Sequence, residues 1–160
     1  MGEPKEMSLA LEKFLKTGVP RPPAAVEFES GLDISVVFTS VEATLAALKE
    51  AGALANRLGA HITLLIPQVV PFPLPLESPP VLLDWNERRF RVIASESPVD
   101  TTVRLYLCRD RQETLLSVLK PHSLIVVGGR RRRWWWPTSE EGLAKMLLRA
   151  GHEVIFAGTE

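Results

Sequence analysis

The sequence predicts an α/β fold, with one parallel five-stranded sheet carrying helices on both faces. Three observations lead there. Apolar runs without polar interruption, such as residues 124–127, suit strands buried on both faces. These runs alternate with stretches whose apolar residues recur at helical spacing. Strand–helix alternation of this kind builds right-handed parallel crossover units. A length of 160 residues fits one such domain. We divide the chain into an N-terminal arm and linker, residues 1–31, and the domain proper, residues 32–160.

Taken in order, the arm opens with Ser8, which can cap a short helix through Lys16. Leu9, Leu11, Phe14 and Leu15 form its apolar side, and Gly18 and Pro20 stop it. Arg21, Pro22 and Pro23 continue as an extended linker. The arm is either a loosely docked tail or a peptide that docks on a partner or a second copy of the chain. Residues 32–39 are apolar and β-rich. Residues 41–58 read as a helix through Val41, Leu45, Leu48, Ala51, Ala55 and Leu58, ended by Gly59. Residues 62–70 form the second strand. The proline-rich stretch 67–80 reads as an irregular or polyproline-like loop. Residues 82–95 read as a helix with Leu82, Trp85, Arg89 and Val92 near one face. A strand follows over 101–108, then a helix over 110–119, where Asp110 and Glu113 have capping-box-like spacing. The last elements are a strand over 123–128, a helix over 138–150 and a strand over 153–157.

Nineteen basic and nineteen acidic side chains leave no net charge. That argues against a general nucleic-acid binder, which needs a broad basic surface. The single cysteine, Cys108, allows no internal disulfide and fits a reducing cytosol. No apolar run is long enough to span a membrane, and the N-terminus lacks the apolar core of a secretory signal.

The segments ISVVFTSVEATLAALKEAGALANRLGAHITLLIP, ETLLSVLKPHSLIVVGG and GHEVIFAG, in this order of elements, resemble the universal stress protein family. The resemblance covers about residues 32–157. It implies strand order 3-2-1-4-5, a homodimer in many members, and ATP bound at the strand ends in some. ATP-binding members carry an aspartate after the first strand, followed by Gly-Ser. Those places here hold Thr39, Ser40 and Val41. The family's glycine loop has Gly, two residues, Gly, nine residues, Gly and Ser or Thr. Here these fall on Gly128, Arg131, Glu141 and Gly142, so one glycine stays in register. A nucleotide, ATP or AMP, would take Thr39, Ser40, Gly128, Gly129, Arg130 and Arg131 as its lining.

Between the fourth strand and the last helix stand Arg130, Arg131, Arg132 and Arg133, then Trp134, Trp135 and Trp136. Guanidinium forks suit an anion or an acidic partner, and solvated or paired arginines are the plain alternative. Three adjacent indoles cannot all turn inward from one loop. An exposed tryptophan anchors an interface, stacks on a base or sits at a membrane surface. We take Arg132, Arg133 and the three tryptophans as partner-binding. Thr138 and Glu141 have capping-box spacing, and Glu140 and Glu141 fall in the first helical turn. Those carboxylates would repel an arriving phosphate.

His61, His122 and His152 each fall at a strand start, the edge opposite the ligand crevice of a parallel sheet. They form neither a triad nor a metal site. Cys108 reads as a small buried residue, or as a reactive thiol if nearby arginines lower its pKa. Catalytic and metal-ligating residues are therefore expected to be none. The sequence points to a cytosolic, non-catalytic binding or regulatory domain, homodimeric through residues 154–156 or part of an assembly. An adenine-nucleotide binder or slow ATPase is its rival. A subunit docked at a membrane-associated complex through the arm and the tryptophans is a third reading.

Overall fold

Five parallel strands lie in the order that the resemblance implies. The computed structural model describes residues 13–16, 32–76, 83–97, 99–130 and 138–159, of which 13–16 and 83–87 as backbone. The elements are β1 (Lys13–Lys16), β2 (Asp33–Val37), α1 (Val41–Leu58), β3 (His61–Val69), α2 (Leu83–Ser95), β4 (Thr101–Cys108), α3 (Arg111–Val118), β5 (Leu124–Arg130), α4 (Ser139–Arg149) and β6 (Glu153–Thr159). The sheet order is β1-β4-β3-β2-β5-β6. All neighbours from β4 across to β6 run parallel, while β1 pairs antiparallel with β4.

The arm thus adds a sixth strand to the expected five. A helix from Ser8 to Lys16 is not what forms over its last four residues: Lys13–Lys16 is a strand. So short a helix has little stability alone, whereas the outer side of β4 supplies a ladder. The sequence there, KFLK, places lysines at both ends, a composition suited to an edge strand. Residues 1–12 and 17–31 lie outside the described residues.

Both faces of the sheet are covered. On one, Ala47, Leu48, Ala51 and Ala55 of α1 and Phe90, Ile93 and Ala94 of α2 pack on Ile34, Val36, Ile62, Leu64, Val103, Leu105 and Val126. On the other, Leu115 of α3 and Leu143 and Leu147 of α4 pack on Val37, Leu65, Tyr106, Ile125 and Val127. Each fully buried Leu or Ile contributes roughly 1.5–3 kcal/mol before chain entropy is subtracted. Alanine at three successive α1 contacts keeps that helix close to the sheet.

Local chemistry sets the helix ends. Ser40 caps α1, its Oγ accepting from the Ala43 N–H at 3.3 Å, and Gly59 ends it at φ 66°. Asp110 caps α3 through the Glu113 N–H at 2.9 Å. Three sequence expectations are corrected. The loop expected over 67–80 begins later, because β3 runs through Pro67 to Val69, in keeping with the strand expected over 62–70. The β2 ladder on β3 ends at Leu65, so Pro67 stands where a missing N–H matters less. On α2, Arg89 is exposed and Val92 is 63% exposed, and the buried face is Phe90, Ile93 and Ala94. Leu82 and the Trp85 side chain lie outside the described residues. Finally, β5, expected over 123–128, continues to Arg130, so Gly129 and Arg130 are strand residues as well.

The histidines lie at the strand starts. His61 Nε2 is 2.8 Å from Thr102 Oγ1. His122 Nδ1 lies 3.1 Å from the Gly151 carbonyl, and the Ser123 N–H donates to His152 Nδ1 at 3.1 Å. These two rings tie the turns before β5 and β6 together.

Two glycine substitutions separate packing from propensity. A Cβ on Gly128 would lie 1.9 Å from the Ala43 carbonyl oxygen, while one on Gly142 meets nothing within 4 Å. Gly128→Ala is expected to lose about 3 kcal/mol in urea unfolding. Gly142→Ala, in the interior of α4, is expected to gain about 1 kcal/mol.

Candidate functional site

In an open parallel sheet, the crevice opens where consecutive connections leave in opposite directions. Here that place lies between the C-terminal ends of β2 and β5, because the chain goes from β2 to β3 on one side and returns to β5 on the other. A cleft of about 360 Å³ lies at this end of the sheet, lined by Ser40, Glu42, Ala43, Gly129, Arg130, Thr138, Glu140 and Thr159.

The residues singled out in the sequence gather at this end, mostly engaged with the protein itself. Thr39 Oγ1 donates to the Gly128 carbonyl at 2.9 Å, and the Thr39 N–H donates to Thr44 Oγ1 at 3.2 Å. Thr39 therefore bridges β2 to β5. Ser40 lines the cleft while its hydroxyl caps α1. Gly128 faces the α1 backbone. Gly129 faces the other way: a Cβ there would lie 2.5 Å from Glu140 Cβ, 2.8 Å from Glu140 Cγ and 2.9 Å from Phe156 Cζ. Neither glycine has a positive φ. Both are small to admit the protein's own atoms. Arg130 is exposed and pairs with Glu42 at 3.7 Å, a contact that solvent weakens. Arg131, Arg132, Arg133, Trp134, Trp135 and Trp136 lie outside the described residues.

The start of α4 satisfies itself. Thr138 Oγ1 accepts from the Glu141 N–H at 3.2 Å, and the Thr138 N–H donates to Glu141 Oε2 at 3.2 Å. This is the capping box expected from the T-x-x-E spacing. Thr138 Oγ1 also donates to the Arg130 carbonyl at 3.2 Å, which ties α4 to the end of β5. Glu140 and Glu141 in the first turn oppose the helix dipole. Among the cleft's described side chains, Glu42 and Glu140 outnumber Arg130.

Two arginines that the sequence did not single out sit beside this end. Arg111, the first residue of α3, donates through Nη2 to the Phe38 carbonyl at 3.0 Å, and its buried Nε has no hydrogen-bond partner. Burial pushes its pKa down, and the nearby Glu140 carboxylate pushes it back up. Arg109 donates to the Val70 carbonyl at 2.9 Å and the Leu74 carbonyl at 2.7 Å, and its guanidinium lies 4.6 Å from the Phe72 ring centre. Its position next to Cys108 was visible in the sequence. Its folding back onto the loop after β3 was not.

Cys108 is 4% exposed, and its Sγ lies 3.6 Å from the Gln68 carbonyl. Burial pushes its thiol pKa up, with Asp110 adding to the rise. The Thr114 hydrogen bond and Arg111 oppose it without reversing it. The arginines thus do not make this an activated thiol. No group of three or more metal-ligating side chains occurs among the described residues.

Comparison with solved structures relates this architecture to a universal stress protein from Archaeoglobus fulgidus. The match has a TM-score of 0.55 and 14% sequence identity, over 82% of this chain and 97% of that one. At that identity the likeness establishes a shared fold. No family model and no curated protein sequence matches the chain.

Two measurements follow. Thr138→Ala removes the cap acceptor and is expected to cost about 1 kcal/mol in thermal or urea unfolding. Because the Cys108 pKa is raised in the folded state, its contribution to stability is full below the unfolded thiol's pKa. That contribution falls as pH rises through the folded value. Stability measured across the alkaline range is expected to decline less steeply in Cys108→Ala than in the parent.

Proposed function

We propose that this chain is a non-catalytic binding or regulatory domain on a universal-stress-protein-like fold, with its nucleotide crevice closed by its own side chains. One observation carries the reading. Gly129, which in an open cradle would let a phosphate approach the backbone, has the Glu140 side chain packed over it. The Glu140 Cβ and Cγ therefore stand where a phosphate would need to come, and behind them the Glu141 N–H is already taken by Thr138 Oγ1. Repulsion from Glu42 and Glu140 adds to the steric block.

The binding surface in this reading is the loop leaving β5. Arg130 heads a run of guanidinium groups that extends through Arg131, Arg132 and Arg133 and meets an anion or acidic partner. Trp134, Trp135 and Trp136 supply its anchors. The domain works as a homodimer through β6, whose Val154, Ile155 and Phe156 are half-buried at the sheet edge. It works in the cytosol, where its lone thiol stays reduced. Among the described residues, no helix is long and apolar enough to cross a membrane.

The second reading, an adenine-nucleotide binder or slow ATPase, draws on the cleft itself. It lies at the switch point and is lined by Ser40, Gly129 and Arg130. Isothermal titration with ATP, ADP and AMP separates the two. The closed-crevice reading expects no submillimolar binding to the parent protein. Submillimolar ATP binding that disappears in Arg130→Ala or Arg131→Ala would establish the nucleotide reading in its place.

A further inference from the structure

Arg111 carries a charge that the fold leaves short of partners. Its Nη2 donates to the Phe38 carbonyl at 3.0 Å, which fixes the guanidinium at the C-terminal end of β2. Its Nε is buried and has no hydrogen-bond partner. A buried donor without an acceptor is costly, the more so on a charged group. A guanidinium drawn out of water in this way calls for an anion close by.

Three carboxylates at this end of the sheet are already engaged. Asp110 caps α3 through the Glu113 N–H. Glu42 pairs with Arg130. Glu141 Oε2 accepts from the Thr138 N–H. Glu140 differs from these. It lies half-buried, with its Cβ and Cγ over Gly129, on the sheet face that α3 and α4 cover. It is also the carboxylate whose charge opposes the effect of burial on Arg111.

Two forces on Glu140 act in the same direction. Arg111 attracts its carboxylate, and Glu42, which lines the same cleft, repels it. An oxyanion in the place of that carboxylate would meet the same guanidinium. Arginine's planar fork suits carboxylate and phosphate alike.

From the orphaned Nε and the placement of Glu140 we infer that Arg111 is the cation of a small-oxyanion site at the C-terminal end of β2, and that the Glu140 carboxylate is its tethered anion. A free phosphate or carboxylate competes with Glu140 for Arg111. The chain thus carries its own inhibitor of the site. This inference rests on the closed-crevice reading and deepens it: charge pairing, beyond packing alone, keeps the crevice closed.

Inorganic phosphate is the probe, added to the full-length chain at ionic strength held constant with sodium chloride. Heteronuclear NMR follows the Gly129 amide and the Arg111 Nε–H, the latter identified by its absence in Arg111→Lys. Glu140→Ala keeps the Cβ, removes the carboxylate and suits a helix. It is expected to bind phosphate roughly tenfold more tightly than the parent, with the Arg111 Nε–H signal moving in step with the Gly129 amide. Adding Arg111→Gln to Glu140→Ala is expected to return binding to the parent's level. A folded Glu140→Ala protein that binds phosphate no more tightly than the parent overturns the inference. Binding retained in the folded double variant does so too. An Arg111 Nε–H signal that stays still while phosphate binds Glu140→Ala overturns it as well, and this readout does not need the double variant to fold. The closed-crevice reading fails on a different result, submillimolar phosphate binding by the parent itself.

Discussion

The contact on which this structure most depends is the approach of the α1 backbone to β5. Where Ala43 crosses Gly128 there is no room for even one methyl group. That closeness seats the alanine face of α1 over the sheet and lets the first turn of the helix meet the ends of β2 and β5. Thr39 secures the same junction from the other strand through its bond to the Gly128 carbonyl. In a fold of this class, the place so occupied is the mouth of the ligand crevice. Packing that stabilises the scaffold and packing that limits what enters it are here the same contacts.

The neighbouring glycine shows the same economy on the other face. Gly129 admits Glu140 and Phe156, and at the start of α4 the Glu141 N–H donates to Thr138 Oγ1 while the Thr138 N–H donates to Glu141 Oε2. An open phosphate site needs glycines facing solvent and helix amides without partners. Here Gly129 faces the Glu140 side chain, and one amide of the first α4 turn is taken by the Thr138 cap.

Much of this was legible in the sequence, for identifiable reasons. Periodicity located α1 to the residue, because its alanines and leucines repeat over five turns up to a glycine stop. The T-x-x-E spacing gave the capping box of α4. Strands buried on both faces were plain as unbroken apolar runs. What escaped were features set by partners distant in the chain. Lys13–Lys16 carries no strong strand signal, and its structure follows from the open side of β4. Pro67 fell within the stretch read as loop because nothing local shows that the pairing of β3 with β2 ends at Leu65. The glycines read as the lining of a nucleotide site because a sequence cannot show that a helix backbone or a glutamate lies against them. Arg111 looked like the second residue of a capped helix, and its reach to Phe38 is a property of the fold alone.

The central claim is that protein atoms occupy the place a nucleotide phosphate would need. A crystal structure of protein purified without added ligand, grown with and without millimolar ATP, tests it most directly. The account predicts the Glu140 side chain over Gly129 in both crystals and no nucleotide density at the ends of β2 and β5. Phosphate density over Gly129, with Glu140 swung away, would contradict it.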